Sequence, residues 1–328
     1  GMTYDKKVII IGTGGTIAGR SGAAEDLTGY HAGELSVESL LSSVPGLMHY
    51  GPFECEQFSN IDSSDVTVEH WGRLAATVQR YVDDDTVAGI VITHGTDSME
   101  ETAYFLHLTV DTDKPVVLTG SMRPATAISA DGPLNLLMAV QTVRSEASRG
   151  KGIIVALNGY LDCAREVAKL HTTDVATFGN DYFGHMGLVQ DGIPFYYYEP
   201  LRRHTKYSEF ARLGEQTLPQ VEILYLYGGI KENFVAAALS RRLDGLVVAG
   251  LGHGIIPQRI QSQLSSLTIP IVRASKTGHG MVSPMKNDSL HGMVAADTLT
   301  PVKARILLML GLTKTRHVDE LQSMFGTY

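Results

Sequence analysis

The stretch Val8-Ile9-Ile10-Ile11-Gly12-Thr13-Gly14-Gly15-Thr16-Ile17-Ala18-Gly19 decides the fold, because an apolar run leads straight into a glycine-bearing turn with hydroxyl side chains. A second stretch of the same form is Ile90-Val91-Ile92-Thr93-His94-Gly95-Thr96-Asp97. Short apolar runs bounded by turn residues are typical of buried strands in a parallel sheet. Ligands of such sheets bind in the crevice outside the carboxyl ends of the strands. We therefore expect Thr16 and Thr96 to face one crevice.

Apolar runs and helical patterns alternate along the chain, which is typical of βαβ units and an α/β fold. Strands are predicted near 8–12, 88–93, 115–119, 152–157, 221–227, 245–249 and 269–272. Helices are predicted at 65–82, after Ser98, from Pro133, at 232–242 and from Pro301 with Thr300 as its cap.

At 328 residues the chain is too long for one ordinary core and suits two domains. We predict a larger N-terminal domain, 1–198, with a mainly parallel sheet flanked by helices and both threonines. A polar stretch without clear period, 199–219, is predicted as the linker, and 220–328 as a smaller C-terminal α/β domain. The aromatic segment 180–200 predicts a hairpin that leaves the first domain.

Composition excludes several classes of function. Hydrophobic residues make up 44% and charged residues 19%, as in ordinary globular proteins. The net charge of -8 argues against a nucleic-acid partner, and no apolar run is long enough to predict a membrane span. The first turn matches a dinucleotide fingerprint only in part, because Ile17 stands where a third glycine is needed.

The cysteines and histidines predict no metal site and no cofactor. Cys55 and Cys163 form no CxxC pattern, and the twelve histidines have no ligand spacing. We expect free thiols and a reducing compartment, although a disulfide between the two cysteines stays open. The predicted location is the cytoplasm, or the periplasm if an export signal has been removed.

Hydroxyls and a carboxylate at the crevice favour nucleophilic catalysis. A threonine hydroxyl is a weak nucleophile that needs a neighbouring base. Asp97 adjoins Thr96, and further polar turns carry Ser63 and Ser121. Lys169 is a candidate base, provided that burial and nearby cations lower its pKa.

Simpler interpretations of the same residues stay open at this point. Thr16 is also suited to a plain turn, and Lys169 to an exposed surface. Ser98 is suited to the N-cap of the next helix, with Glu101 completing a capping box.

The chain resembles the bacterial-type L-asparaginases, two-domain amidohydrolases that include glutaminase-asparaginases. The two signatures are Thr13–Gly19 and Ile92–Ala103. Shorter matches are Met122-Arg123-Pro124, Ser129–Pro133, Thr172–Phe178 and Pro301-x-Lys303-Ala304-Arg305. The resemblance covers essentially the whole chain.

The resemblance implies a role for each matching residue. Thr16 is the nucleophile that attacks the side-chain carboxamide, and Tyr30, on a mobile lid within Gly19–Gly33, closes over the substrate and helps activate it. Thr96, Asp97 and Lys169 form a second, buried set of hydroxyl, carboxylate and amine.

Substrate binding is implied for a further group of residues. Ser63 holds the α-carboxylate of the substrate, and Asp97 takes its α-ammonium group. The remaining substrate-binding candidates are Ser64, Thr96 and Ser121, and the candidate contributed by a neighbouring subunit is His253.

Three departures from the family pattern put specificity in doubt. Ser64 stands where relatives often have Gln or Glu, and His253 where many have Asn or Ser. The segment 280–288 carries Met285 where some relatives place a Glu at the subunit boundary.

We therefore expect an L-asparaginase that converts L-asparagine to L-aspartate and ammonia through a threonine acyl-enzyme, without a cofactor and as a homotetramer (dimer of dimers). The alternatives are a glutaminase-asparaginase that also takes L-glutamine, or a catalytically inactive amino-acid-binding homologue. An ammonia-supplying subunit of a tRNA-dependent amidotransferase is disfavoured by the acidic charge.

Overall fold

The computed structural model describes residues 4–21, 30, 31, 33 and 36–328, with backbone alone for 20, 21, 30 and 31. The chain divides into two compact units, Gly1–Glu215 and Gln216–Tyr328. The α/β prediction, with a larger first and a smaller second part, is confirmed.

The described part of the first unit contains twelve strands and four α-helices. The strands are β1 (Lys7–Gly14), β2 (Arg20–Ser21), β3 (Tyr30–His31), β4 (Phe53–Ile61), β5 (Val87–Thr93), β6 (Val116–Thr119), β7 (Ile153–Leu157), β8 (Tyr160–Cys163), β9 (Ala168–Lys169), β10 (Phe178–Gly179), β11 (Gly187–Gln190) and β12 (Ile193–Tyr196). The helices are α1 (Val37–Ser42), α2 (Val68–Val82), α3 (Met99–Thr109) and α4 (Gly132–Val143).

The main sheet has eight strands in the order β12-β11-β8-β7-β6-β5-β1-β4. Strands β4, β1, β5, β6 and β7 are parallel, whereas β8, β11 and β12 are antiparallel additions at one side. The carboxyl ends of β1 and β5 are therefore neighbours, as the sequence predicted.

Apolar side chains cover both faces of this sheet. Along β1, Val8 and Ile10 belong to one buried cluster, and Ile9 and Ile11 belong to the cluster on the other face. Successive strand residues point to opposite faces, so a continuous apolar run is what a sheet covered on both sides requires. This burial anchors the turns that follow β1 and β5.

Helix α2 is confirmed, and its ends follow from its residues. Thr67 is the N-cap, where its hydroxyl accepts a hydrogen bond from the N–H of His70 at 3.2 Å. Trp71, Leu74 and Val78 are buried on one stripe. Helix α4 begins at Gly132 with Pro133 in its first turn, as predicted.

The hairpin at 180–200 was predicted to leave the first domain, and this is wrong. Strands β11 and β12 pair with each other and extend the main sheet through β8. The aromatic residues that suggested an exit, Phe195 and Tyr196 among them, lie on this added sheet edge.

The division between the units falls within the predicted linker, 199–219. Its first part packs on the first unit, where Phe210 is fully buried and the Ser208 hydroxyl donates to the carbonyl of Leu108 at 2.6 Å. Arg212 forms ion pairs with Asp83 and Asp111.

The second unit is a smaller parallel sheet with helices. Its strands are β13 (Val221–Tyr225), β14 (Gly245–Gly250), β15 (Ile271–Ser275) and β16 (Met293–Ala295), in that spatial order. Its helices are α5 (Glu232–Leu239), α6 (Gln258–Leu264), α7 (Pro301–Gly311) and α8 (Val318–Thr327). Thr300 is the N-cap of α7, but its side chain makes no capping hydrogen bond, so the predicted cap is only positional.

Cys55 and Cys163 are free, which answers the question of a disulfide. Burial raises the pKa of the Cys55 thiol to about 11, so it stays protonated at neutral pH. Among the described residues, no helix combines the length and the apolarity that a membrane span requires.

Candidate active site

The turn after β1 is built from glycines that a side chain would disrupt. Gly14 and Gly15 have φ of 107° and 83°, in the region that favours glycine. A Cβ on Gly14 would lie 2.5 Å from the backbone N and O of Ile61. The turn then continues as a short 3-10 helix, Thr16–Ala18, in which Thr16 is buried.

The turn after β5 lies directly against the first one. A Cβ on Gly15 would come within 2.5 Å of the Cα and N of Gly95. The Thr13 hydroxyl also donates a hydrogen bond to the carbonyl of Thr93 at 2.7 Å. The structure thus brings the turns of Thr16 and Thr96 together at one end of the sheet.

Lys169 joins the second threonine and its carboxylate. Its Nζ donates to Thr96 Oγ1 at 2.9 Å and to Asp97 Oδ1 at 2.7 Å. An ammonium group has only donors, so Thr96 Oγ1 must accept, and its own hydroxyl hydrogen is left to point at another acceptor. This arrangement suits Thr96 to give or take a proton.

The position of Lys169 depends on a short pair of strands that the sequence analysis did not predict. Lys169 lies in β9 and pairs with Phe178 of β10, while its N–H donates to Glu100 Oε1 at 3.1 Å. Thr96, Asp97 and Lys169 were expected to be buried, and this is wrong for Asp97. The Lys169 side chain is 16% exposed, but that of Asp97 is 57% exposed in this chain.

Ser63 ties a third loop to the start of α3. Its Oγ accepts from the N–H groups of Asp97 at 3.0 Å and Ser98 at 3.3 Å. Ser98 in turn donates from its hydroxyl to the carbonyl of Ser63 at 2.6 Å. Ser98 is the N-cap of α3 by position, as predicted, but the predicted capping box with Glu101 is wrong, because the Ser98 side chain makes no capping bond and bonds to Ser63 instead.

Two further candidate hydroxyls bond within their own turns. Ser64 gives both its N–H and its hydroxyl to Asp62 Oδ1, each at 2.9 Å. Ser121 is buried and donates to the carbonyl of Arg123 at 2.8 Å. A contact of either hydroxyl with a substrate would have to replace these bonds, and that role stays a prediction.

The side chain of Tyr30 lies outside the described residues. Its backbone pairs with Ser21 across β2 and β3. Residues 22–29 and 32 of the predicted lid, Gly19–Gly33, also fall outside the described part, so the role of Tyr30 stays a prediction.

In the second unit, His253 is exposed and contacts one loop of the same unit. Its Nε2 accepts from the N–H of Ser283 at 3.1 Å and lies 3.0 Å from the Ser283 hydroxyl. Buried Arg273 holds both loops, since it donates to the carbonyls of His253 and Ser283 and pairs with Asp288.

Sequence reasoning missed a buried relay behind Thr96. Trp71 Nε1 donates to Thr102 Oγ1 at 2.9 Å, and Thr102 lies 2.8 Å from His94 Nε2. His94 Nδ1 lies 2.7 Å from the carbonyl of Gly95, which can only accept, so Nδ1 carries the proton and Nε2 accepts from Thr102. The donor and the acceptor of each hydrogen bond are therefore fixed, and this buried relay holds the Gly95–Thr96 peptide in place.

Burial keeps this histidine neutral. Loss of hydration lowers the pKa of His94 to about 4, and the hydrogen bond to Gly95 offsets only part of that effect. The sequence contained His94 within the second motif, but its partners on α2 and α3 have no spacing that predicts the contact.

Comparison with known proteins identifies the family of the chain. The Asparaginase, N-terminal family matches residues 7–202, and the Glutaminase/Asparaginase C-terminal domain family matches residues 220–325. L-asparaginase 2 of Bacillus subtilis (strain 168) is 40% identical over 97% of this chain and 86% of its own length. The glutaminase-asparaginase of Pseudomonas fluorescens biotype A is 38% identical over 98% and 90%.

A solved structure is similar throughout. The crystal structure of a probable cytoplasmic L-asparaginase from Campylobacter jejuni superposes with a TM-score of 0.94 at 41% identity, covering 98% of this chain and 100% of that one. With both parts of the chain matched, the protein belongs to the asparaginase family of two-domain amidohydrolases.

Proposed function

We propose that the chain hydrolyses the side-chain amide of L-asparagine, giving L-aspartate and ammonia. The observation that carries the proposal is the Lys169 ammonium on Thr96 and Asp97, in a turn that touches the turn of Thr16. The Thr96 hydroxyl is bonded to the Lys169 amine, and the turn of Thr16 lies against the turn of Thr96. Hydroxyl-based acyl transfer requires such a nucleophile with a proton-transfer group nearby.

In the first step the Thr16 oxygen attacks the amide carbon. The hydroxyl proton of Thr16 passes by way of Tyr30 to Thr96, and the amide oxygen becomes an oxyanion. Backbone N–H groups of the glycine-bearing turns stabilise that charge. The C–N bond then breaks, and Thr96, supported by Lys169, delivers a proton to the departing ammonia.

In the second step water hydrolyses the β-aspartyl ester on Thr16. Water loses a proton to the Thr96–Lys169 pair as it attacks, and a proton returns from Thr96 by way of Tyr30 to the Thr16 oxygen as it leaves. The same groups therefore act in both directions, and no group outside the chain is needed for proton balance.

The α-carboxylate and the α-ammonium group of the substrate bind to different residues. The hydroxyl of Ser63 has its lone pairs engaged by the N–H groups of Asp97 and Ser98, so its hydrogen is available to the substrate α-carboxylate at the N-terminus of α3. Asp97 receives the α-ammonium group. This pairing orients the carboxamide toward both threonines.

L-glutamine is proposed as a slower second substrate. Its one extra methylene is worth only about 1–3 kcal/mol of discrimination. Because Ser64 stands where relatives often have Gln or Glu, recognition of the α-ammonium group rests more heavily on Asp97.

Assembly and compartment belong to the same proposal. We propose a homotetramer, a dimer of dimers, in which a neighbour brings His253 to the site, and a cytoplasmic location. Light scattering on a fully active sample measures the mass of the assembly, and a fully active monomer would contradict the proposed tetramer. Fractionation of the source cells tests the compartment.

The decisive experiment measures ammonia release from L-asparagine and L-glutamine by the wild type and Thr16→Ala. We expect release mainly from asparagine, and none from the variant. Mass spectrometry after acid quenching should find the β-aspartyl adduct on Thr16. Binding of asparagine without ammonia release would instead support the amino-acid-binding alternative.

A further inference from the structure

A cavity of about 320 Å³ lies at the amino ends of β5 and β6, at the end of the main sheet opposite to the candidate active site. Lys7 and Val87 are the first residues of β1 and β5, and Val87 lines the cavity. Strand β5 is seven residues long, and at about 3.3 Å per residue its ends lie roughly 20 Å apart. The cavity is therefore separate from the turn of Thr96.

Cationic side chains dominate the lining of this cavity. Four cations face two acids, which leaves a net charge of +2; the cations are Lys6, Lys114, Arg144 and Arg149, and the acids are Asp5 and Glu146. Glu146 is 93% exposed and reaches Arg149 only at 3.9 Å. It neutralises little of the charge at that distance in water.

Arg144 is held rigidly and keeps its charge. Its Nε donates to the carbonyl of Tyr50 and its Nη1 to that of Lys6, each at 2.8 Å. Its guanidinium carbon lies 4.1 Å from the ring centroid of Tyr4. Carbonyls and an aromatic ring orient a guanidinium without supplying an opposite charge.

The lysines of the cavity also lack an opposite charge in contact. Across residues 4–21 and 36–328, no carboxylate forms an ion pair with Lys6, Lys114 or Arg144. Lys114 Nζ donates to the carbonyl of Asp84 at 2.8 Å. Burial lowers the pKa of Lys114, as does the nearby Lys6, while Asp85 and Asp84 offset part of that effect.

We propose that this cavity is a binding site for a small dianion, either a phosphate group or a pair of carboxylates. A dianion matches the net charge of +2, and the volume is within the range of small-ligand sites, about 300–1,000 Å³. Arg144 supplies a fixed planar cation, and Lys6, Lys114 and Arg149 supply charges that can move onto the ligand.

Calorimetric titration with inorganic phosphate and with succinate, at pH 8 and constant ionic strength in NaCl, tests the site. We expect saturable binding at one site per chain. The dianion with the lower dissociation constant shows whether the site prefers a phosphate group or a pair of carboxylates. Lys6→Gln and Arg149→Gln should each raise the dissociation constant about tenfold, because each removes a charge-assisted hydrogen bond to the dianion.

Lys314→Gln is the matched control, since it removes an exposed lysine of the second unit. Lys6→Arg keeps the charge and should restore binding. All variants should hydrolyse asparagine like the wild type without added dianion. The proposal is overturned if neither dianion binds beyond the chloride control, or if Lys314→Gln weakens binding as much as the cavity variants.

Discussion

Gly15 and Gly95 are in such close contact that a Cβ on Gly15 would lie 2.5 Å from Gly95 Cα. The two residues belong to turns that follow the neighbouring strands β1 and β5, and each immediately precedes one of the two threonines. The separation of Thr16 and Thr96 therefore depends on a backbone contact that allows no side chain.

Gly15→Ala should separate these turns and reduce catalysis. A displacement near 1 Å can cost about 100-fold in rate, so we expect kcat to fall by roughly that factor. Gly229→Ala is the control, because Gly229 has a similar φ of 82° but nothing within 4 Å of the added Cβ. Steady-state kinetics of both variants check the prediction, and similar kcat values would show that the contact does not matter.

Lys169→Met should remove the proton relay while leaving the substrate carboxylate contact. Loss of general acid–base assistance costs about 10²–10⁴-fold, so kcat should fall in that range with a much smaller change in KM. Lys206→Met is the control, since Lys206 pairs with Asp113 on the exposed surface. A loss confined to KM would mean that Lys169 only helps to bind the substrate.

Stability should decrease on acidification because of His94. Its pKa is about 4 in the folded chain against 6.5 in the unfolded one, so the unfolded state binds the proton first as pH falls. The stabilisation is complete above pH 6.5 and is lost progressively toward pH 4. From pH 7.5 to pH 5 this amounts to about 2 kcal/mol.

Urea unfolding at both pH values measures this loss. In His94→Gln the stability at pH 7.5 should be lower, because the relay from Trp71 and Thr102 is broken. The difference between pH 7.5 and pH 5 should shrink by about 2 kcal/mol. An unchanged difference would place the acid sensitivity in other groups.

Asp288→Asn should destabilise the second unit. The Arg273 side chain is 3% exposed and that of Asp288 11%, and removing one partner of such a pair typically costs about 3–5 kcal/mol. The loops of His253 and Ser283 should also loosen, because Arg273 donates to both. Hydrogen exchange and urea unfolding check this, and the apolar pair Arg273→Met with Asp288→Leu should recover part of the loss.

Elements with a strong local signal were predicted from the sequence. The stripe of Trp71, Leu74 and Val78 gave helix α2, and apolar runs gave β1 and β5. Strand β4 was missed because it lies at the edge of the sheet, is half exposed, and alternates Glu54 and Glu56 with apolar neighbours. Such a strand has no continuous apolar run.

The site was predictable only where its parts adjoin in sequence. Thr96 and Asp97 are neighbours, and the turn of Thr16 follows its strand directly. Ser98 was predicted correctly as an N-cap position, but its capping bond was not formed because its hydroxyl bonds to Ser63 from another loop, a competitor that local rules do not contain. Lys169 was placed in the set through family resemblance, since no spacing rule links it to Thr96.

The glycine contact between the two turns also bears on how substrate preference can change. The distance between the two hydroxyls is set by two adjacent strands and by backbone atoms that carry no variable side chain. The residues that we expect to select the substrate, Ser64 among them, lie outside this glycine contact. If those roles hold, substrate preference can change without moving the two threonines, so engineering for selectivity should leave both turns intact.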